Sequence, residues 1–300
     1  MDLKVIPNRK IYLSVSTILV VISIILLATM GLNYGIDYTG GSVIQITTEE
    51  KILPGSVQDN VLGDKRVADL ELGSSSVQLY NPGNNQSGVL IKTRFLEDVE
   101  EQIILDVFEE KIGQIDKDQL QIQKVGPAIG KELLRNALLS LIIAALLMLV
   151  YISFRFEFKS GVAAVLALVH DVLIVLGFFA LTQKEIDGPF LAAILTLVGY
   201  SINDTIVIFD KIRENMRQRR AKESFDDVVN TSINQSIRRT INTSVTTLLA
   251  ILALLFFGGE SIRNFTIAIT LGVIAGTYSS LFVASPIWSI WETAAEKKAK

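Results

Sequence analysis

Two carboxylates, Asp171 and Asp204, lie inside apolar stretches long enough to cross a membrane. An unpaired charge at bilayer depth costs roughly 2.5–3.5 kcal/mol even on lenient insertion scales, so retained intramembrane acids point to an ion pathway, a proton relay or a buried ion pair. Asp204 falls in Gly199-Tyr200-Ser201-Ile202-Asn203-Asp204-Thr205, flanked by the polar Asn203 and Thr205. The next apolar segment opens with Arg238-Arg239-Thr240 and carries Thr243, Ser244, Thr246 and Thr247 as a polar stripe. An arginine at that position can snorkel to the depth of Asp204, so an Asp204–Arg239 pair is expected. Such a pair has two uses. It can be static, orienting two helices, or it can be a switch in which protonating Asp204 releases Arg239 and re-ionising it recaptures the guanidinium.

His170 and Asp171 are adjacent on a second apolar segment. Neighbours on a helix diverge by about 100°, so the two side chains are not expected to face each other. For His170 the expected part is a buried hydrogen-bonding group. For Asp171 a structural and a proton-carrying part are both open. A further segment holds Gly272 and Gly276 at the four-residue spacing that lets helices approach closely.

Composition bounds the elements that must position these groups. Half of the 300 residues are hydrophobic and the net charge is -3. Mean hydropathy is +0.43. A membrane protein with several spans is expected, with no basic field for nucleic acid. The chain has no cysteine and a single histidine, His170, which excludes disulfides, thiolate chemistry and a multi-histidine metal site. No phosphate-binding glycine loop is present, and no nucleophile–base or metal constellation marks an enzyme. With no cofactor expected, energy for work must come from a partner or from an ion gradient.

Six apolar runs read as spanning helices, at 11–30, 136–154, 161–181, 189–209, 241–257 and 265–287. The first has the length of a retained helix rather than a signal core. Segments 183–188 and 258–264 read as turns. Lysine and arginine cluster before the first helix, at Arg155 and Lys159, at Lys211, Arg213, Arg217, Arg219, Arg220 and Lys222, and at Lys297, Lys298 and Lys300. Six helices put all four clusters on one side, which predicts cytoplasmic termini. Segment 211–239 is expected to hold a helix lying near the headgroups. The domain plan is then a cytoplasmic N-terminus and first helix (1–30), an extracytoplasmic domain (31–135), a five-helix membrane domain (136–288) with a cytoplasmic loop at 211–239, and a cytoplasmic tail (289–300).

In the extracytoplasmic segment, 42–48, 66–72, 76–80, 89–95 and 120–125 read as strands, with a turn at Asn81-Pro82-Gly83-Asn84-Asn85. Residues 96–112 read as a helix whose apolar face carries Val99, Ile103, Val107 and Phe108. The order suggests a small ferredoxin-like α+β domain between helices one and two.

Several motifs carry a family likeness. Gly35-Ile36-Asp37-Tyr38-Thr39-Gly40-Gly41 resembles the Asp-Phe-Thr-Gly-Gly signature of the SecF family. So do Val125-Gly126-Pro127-Ala128-Ile129-Gly130, Phe154-Arg155-Phe156-Glu157, Leu168-Val169-His170-Asp171, Gly199–Thr205 through Arg213-Glu214-Asn215, and Arg238-Arg239-Thr240 with Thr243-Ser244. The likeness runs in order along nearly the whole chain, with Tyr38 in place of the usual phenylalanine and Lys159 in a short turn as departures. It implies a resistance-nodulation-division protein in the bacterial inner membrane. Such a subunit pairs with SecD as a heterodimer and acts beside the SecYEG channel, with YajC and YidC as further partners. It uses the proton-motive force to promote export of unfolded secretory polypeptides. It also implies proton conduction through the positions of Asp204 and Arg239, and less directly Asp171. Asn203, Thr205, Thr247 and His170 are the supporting polar groups. Two other classes compete. A structural adaptor would tolerate Asp204→Asn. A small-molecule or lipid exporter needs a substrate pocket that the small outer segment fits poorly.

Overall fold

The apolar runs form helices because a helix is the one open-ended segment that satisfies its own backbone in lipid. The computed structural model describes all residues except 1–2, 54, 73–74, 81, 83–85, 221–222, 260–261 and 300. The turn at 81–85, apart from Pro82, and Lys222 and Lys300 of the basic clusters lie outside the described residues, as do the side chains of 298–299. The chain divides into two compact units, Met1–Asn33 with Ala137–Lys300, and Tyr34–Asn136.

The first unit holds six helices long and apolar enough to cross a membrane. They are α1 (Arg9–Met30), α5 (Pro127–Arg155), which starts in the second unit, α6 (Phe158–Thr182), α7 (Gly188–Arg217), α8 (Phe225–Phe257) and a sixth span. The sixth is α9 (Arg263–Ser279), a π-helical turn at Ser280–Ala284, and α10 (Ser285–Ala299). Local sequence sets where they start. Asp187 caps α7 through Phe190 N–H, with Pro189 in the first turn. Ser224 and Asp227 close a capping box on α8.

Segment 211–239 forms no separate helix. It is taken up by the end of α7 and the start of α8, because the caps that could break those helices lie only at 218–224. Asp204 is therefore near the middle of a 30-residue helix, not near the end of a shorter one.

Small residues set the closest helix approaches. A Cβ on Gly276 would lie 2.9 Å from the Ser201 Cβ, and one on Gly272 would strike the Leu197 side chain. The Gly272/Gly276 face of α9 thus seats α7. The same device joins α6 to α1, where Gly177 packs against Ser23. At the end where α1 begins, ion pairs tie helices that are distant in sequence: Arg9–Asp226 at 2.9 Å, Lys159–Glu292 at 2.7 Å, Arg219–Glu296 at 3.0 Å and Arg155–Asp210 at 3.1 Å.

The second unit is a four-stranded antiparallel sheet of β2 (Gly41–Thr48), β3 (Ser76–Tyr80), β4 (Ser87–Thr93) and β5 (Gln121–Val125), in the order β3-β4-β2-β5. With α3 (Lys65–Ala68) between the first two strands and α4 (Asp98–Lys111) between the last two, this is the ferredoxin-like arrangement. Alternation on β2 and β4 sends Ile44, Ile46, Val89 and Ile91 into a core with Ile104, Val107 and Phe108 of α4.

Two expectations fail in this unit. Residues 66–72 are not a strand, since Asp64 caps Arg66 N–H and starts α3. Their apolar positions, Val67, Leu70 and Leu72, fit a helical turn as well as a strand. Val99 is 72% exposed, because the buried face of α4 runs instead through Ile104, Leu105, Val107 and Phe108.

The paired glycines of the signature have a steric reason. Gly40 (φ 76°) and Gly41 (φ 146°) hold backbone conformations that side chains disfavour. A Cβ on Gly40 would lie 2.7 Å from Pro127 Cα, and one on Gly130 would lie 2.8 Å from Gly40 N. The strand that opens the unit and the helix that leaves it therefore touch backbone to backbone.

Candidate functional site in the helical bundle

The two intramembrane acids have opposite surroundings. Asp171 is fully buried. Its Oδ2 accepts Ser201 Oγ–H from α7 and Ser279 Oγ–H from α9, both at 2.7 Å, and its Oδ1 meets His170 Nδ1 at 2.9 Å. The expected separation of His170 from Asp171 is not found. Their Cβ atoms diverge, but Nδ1 and the carboxylate each lie close to the backbone, and the short arc between them can be bridged. The imidazole also stacks on Tyr278, with ring centroids 6.2 Å apart. Tyr278 in turn donates to Tyr12 O and accepts from Ser16, both on α1.

A seam of hydroxyls leads from Asp171 toward the second acid. Ser280, the first residue of the π-helical turn, donates to Ser201 O and bonds Thr205 Oγ1 at 2.8 Å. π-helical turns concentrate at functional sites because they redirect side chains within a helix. This one turns Ser279 and Ser280 inward as neighbours.

Asp204 is 3% exposed, and its Oδ2 is buried with no hydrogen-bond partner. Thr240 on α8 is fully buried, and its Oγ1 is likewise unpartnered. An unpaired buried oxygen of this kind costs about 1–3 kcal/mol and calls for a reason. The expected Asp204–Arg239 ion pair is not formed. Among the described residues no salt bridge includes Asp204, and Arg239 lies on the exposed face of α8. The packed face of α8 is instead given to the small residues Ser236, Thr240 and Ser244. Ser244 is the α8 side chain that reaches the Asp204 carboxyl, and the Arg239 guanidinium acts on it through its charge without being bonded to it.

The supporting residues separate. Thr205 is buried and bonded to Ser280. Asn203 is exposed. Thr247 is half-buried and accepts from Tyr200 at 3.4 Å. Ser244 bonds Thr277 at 2.6 Å, while Thr246 is exposed, so the polar stripe of α8 divides between two faces. Ser201 sits in the polar run around Asp204 noted in the sequence, whereas Ser279 and Ser280 are site residues that hydropathy did not single out. The signal for Ser279 and Ser280 is the small-residue spacing of their helix, which also carries Gly272 and Gly276. Among the described residues no group of histidine and carboxylate side chains could hold a metal ion.

The folded chain is a multi-pass membrane protein with a polar seam buried in its bundle and a ferredoxin-like unit between its first two spans. Residues 105–294 match the family model of the protein export membrane protein SecD/SecF, C-terminal, and residues 25–52 match the SecD/SecF GG motif. The protein translocase subunit SecF of Sebaldella termitidis is 42% identical over 96% of this chain and 91% of its own length. The fused subunit SecDF of Bacillus subtilis is 38% identical over 97% of this chain, which spans 38% of that longer protein. A crystal structure of SecDF from Thermus, described as a translocon-associated membrane protein, superposes with a TM-score of 0.81 at 35% identity, with 97% of this chain covering 39% of that one. The chain belongs to the SecF family of protein translocase subunits.

Proposed function

We propose that the chain works with SecD as a proton-driven accessory of protein export. Protonation of Asp204 is the step that couples the gradient to helix movement. The observation that carries this reading is the buried Asp204 Oδ2, without a hydrogen-bond partner in the apolar run of α7, with Arg239 near enough to act on the carboxyl through its charge but not bonded to it. A protonated Asp204 is neutral and leaves Arg239 free. Loss of the proton creates a buried anion that draws the guanidinium inward, and that motion rotates or tilts α8 against α7. A permanent ion pair would already hold the two groups together. One elementary charge crossing 100 mV releases about 2.3 kcal/mol, so a few protons per cycle can bias a domain movement.

Partnership with SecD is supported by the fused relatives and by the bundle's own surface. Only 11% of the apolar window of α1, α5 and α8 is buried, against 50% or more in the other three spans. The basic residues at one end support a cytoplasmic placement of that end, and the segment between the first two spans is then read as extracytoplasmic. There it would grip an emerging polypeptide beside the SecYEG channel, along a sheet edge. YajC and YidC are the further partners on this reading.

The test is gradient-dependent export in vesicles carrying Asp204→Asn, with insertion and SecD association followed in parallel. The amide keeps the side chain's shape and its hydrogen bonding but cannot ionise. The proposal expects normal assembly with export reduced to the gradient-independent level. Unchanged export would make the chain a structural adaptor.

A further inference from the structure

Asp171 is saturated, but the group bonded to it is not. His170 is 5% exposed, and its Nε2 is buried without a hydrogen-bond partner. With Asp171 ionised the carboxylate only accepts, so the hydrogen between His170 and Asp171 then belongs to Nδ1, and the open Nε2 presents a lone pair. Ser201 and Ser279 fix the carboxylate, the carboxylate fixes the tautomer, and Tyr278 fixes the plane of the ring. A carboxylate that orients an imidazole through Nδ1 leaves Nε2 as the working atom in general acid–base chemistry.

We infer that His170 is a second proton-carrying residue of the bundle, with Nε2 as its loading atom and Asp171 as the positioning residue and counter-charge. This rests on the proton-driven reading above. On loading, the Nε2 lone pair takes one proton and the ring becomes an imidazolium. Its charge is balanced by Asp171, so the seam goes from net negative to neutral. On unloading, the same N–H bond breaks and the pair returns to its starting state.

No competing charge is bonded to the ring. Asp171 is bonded to the ring and Tyr278 from α9 stacks on it; behind them, Ser201 from α7 and Ser279 from α9 bond Asp171, and Tyr12 and Ser16 from α1 bond Tyr278. The basic residues of the packed helices lie at their ends: Arg9 and Lys10 on α1, Lys159 on α6, Lys211, Arg213 and Arg217 on α7, and Arg263 on α9. The acids of α7 are Asp204, Asp210 and Glu214; Thr205, next in sequence to Asp204, bonds Ser280, which donates to Ser201 O.

Because His170 is the only histidine in the chain, its imidazole can be followed without a variant. Full-length chain carrying ring-¹⁵N histidine and a histidine-free tag, held in lipid nanodiscs, would be titrated by NMR. The inference expects an Nδ1–H tautomer with an unprotonated Nε2 that gains a proton on acidification. An Nε2–H tautomer, or an Nε2 that never changes state, would overturn it. In export vesicles, His170→Gln keeps an N–H donor for Asp171 but has no basic nitrogen to take a proton. Gradient-driven export should fall roughly tenfold or more with the complex intact, and unchanged export would also overturn the inference. The NMR arm does not depend on Asp204, so it can fail or succeed separately from the export test of Asp204→Asn.

Discussion

At the scale of single residues, the bundle's polar seam is placed by glycine. Ser201 and Ser279 both reach Asp171 because α7 and α9 meet at Gly276. A methyl group there would sit 2.9 Å from the Ser201 Cβ and 3.2 Å from its Cα, so backbone must move rather than a flexible side-chain tip. Gly276→Ala should cost about 1–3 kcal/mol, as overpacking does, and lengthen the Ser201–Asp171 bond. Gly199→Ala has nothing within 4 Å and should stay within about 0.5 kcal/mol. Unfolding of both variants in lipid or mild detergent would measure the difference, and equal loss would refute the close-approach account.

The acids and the glycine pair were legible in sequence because an apolar background makes such residues conspicuous. The bonds between them were not. Hydropathy marks α8 as a span but does not say which face packs, so it could not put Arg239 on the exposed side. The bridge from His170 to Asp171 depends on rotamers, which helical spacing alone does not fix.

At the scale of elements, caps decide what periodicity leaves open. Val67, Leu70 and Leu72 suit a strand or a turn of helix, and Asp64 resolves the matter in favour of α3. On α4, Glu97 and Glu100 form a capping box, and Arg94 grips Glu100 at 2.6 Å. The Arg94 guanidinium, more than the Glu97 N–H it also accepts, lowers the Glu100 carboxyl from 4.5 to about 2. A carboxylate lowered on folding stabilises the fold above its unfolded value and stops doing so as pH falls through its folded one. The contribution is therefore complete above about pH 4.5 and lost toward about pH 2. Both side chains reach solvent, so its size is at most about 1 kcal/mol. Amide exchange in the first turn of α4 should quicken over that range in the full chain and lose this dependence in Glu100→Gln. A first turn that exchanges alike in both would show that the pair does nothing for the cap.

At the scale of the molecule, the bundle is tied at one end and bare along half of its spans. Ion pairs join α1 to α8, α6 to α10 and α5 to α7 at the end where α1 begins. The open flanks of α1, α5 and α8 are apolar and suit lipid or a second set of helices. The ferredoxin-like topology and the number of spans could be read from pattern alone, since both follow from periodicity and run length. The extent of α7 and α8 beyond their apolar cores could not, because polar helix and polar loop have similar composition.

The most direct measurement is proton flux into vesicles holding the SecD–SecF complex under an imposed membrane potential, comparing the parent chain with Asp204→Asn. Potential-dependent proton entry in the parent, abolished by the amide at equal reconstitution, is the predicted result. Proton entry that persists unchanged in Asp204→Asn would contradict the central claim and move the coupling out of this chain.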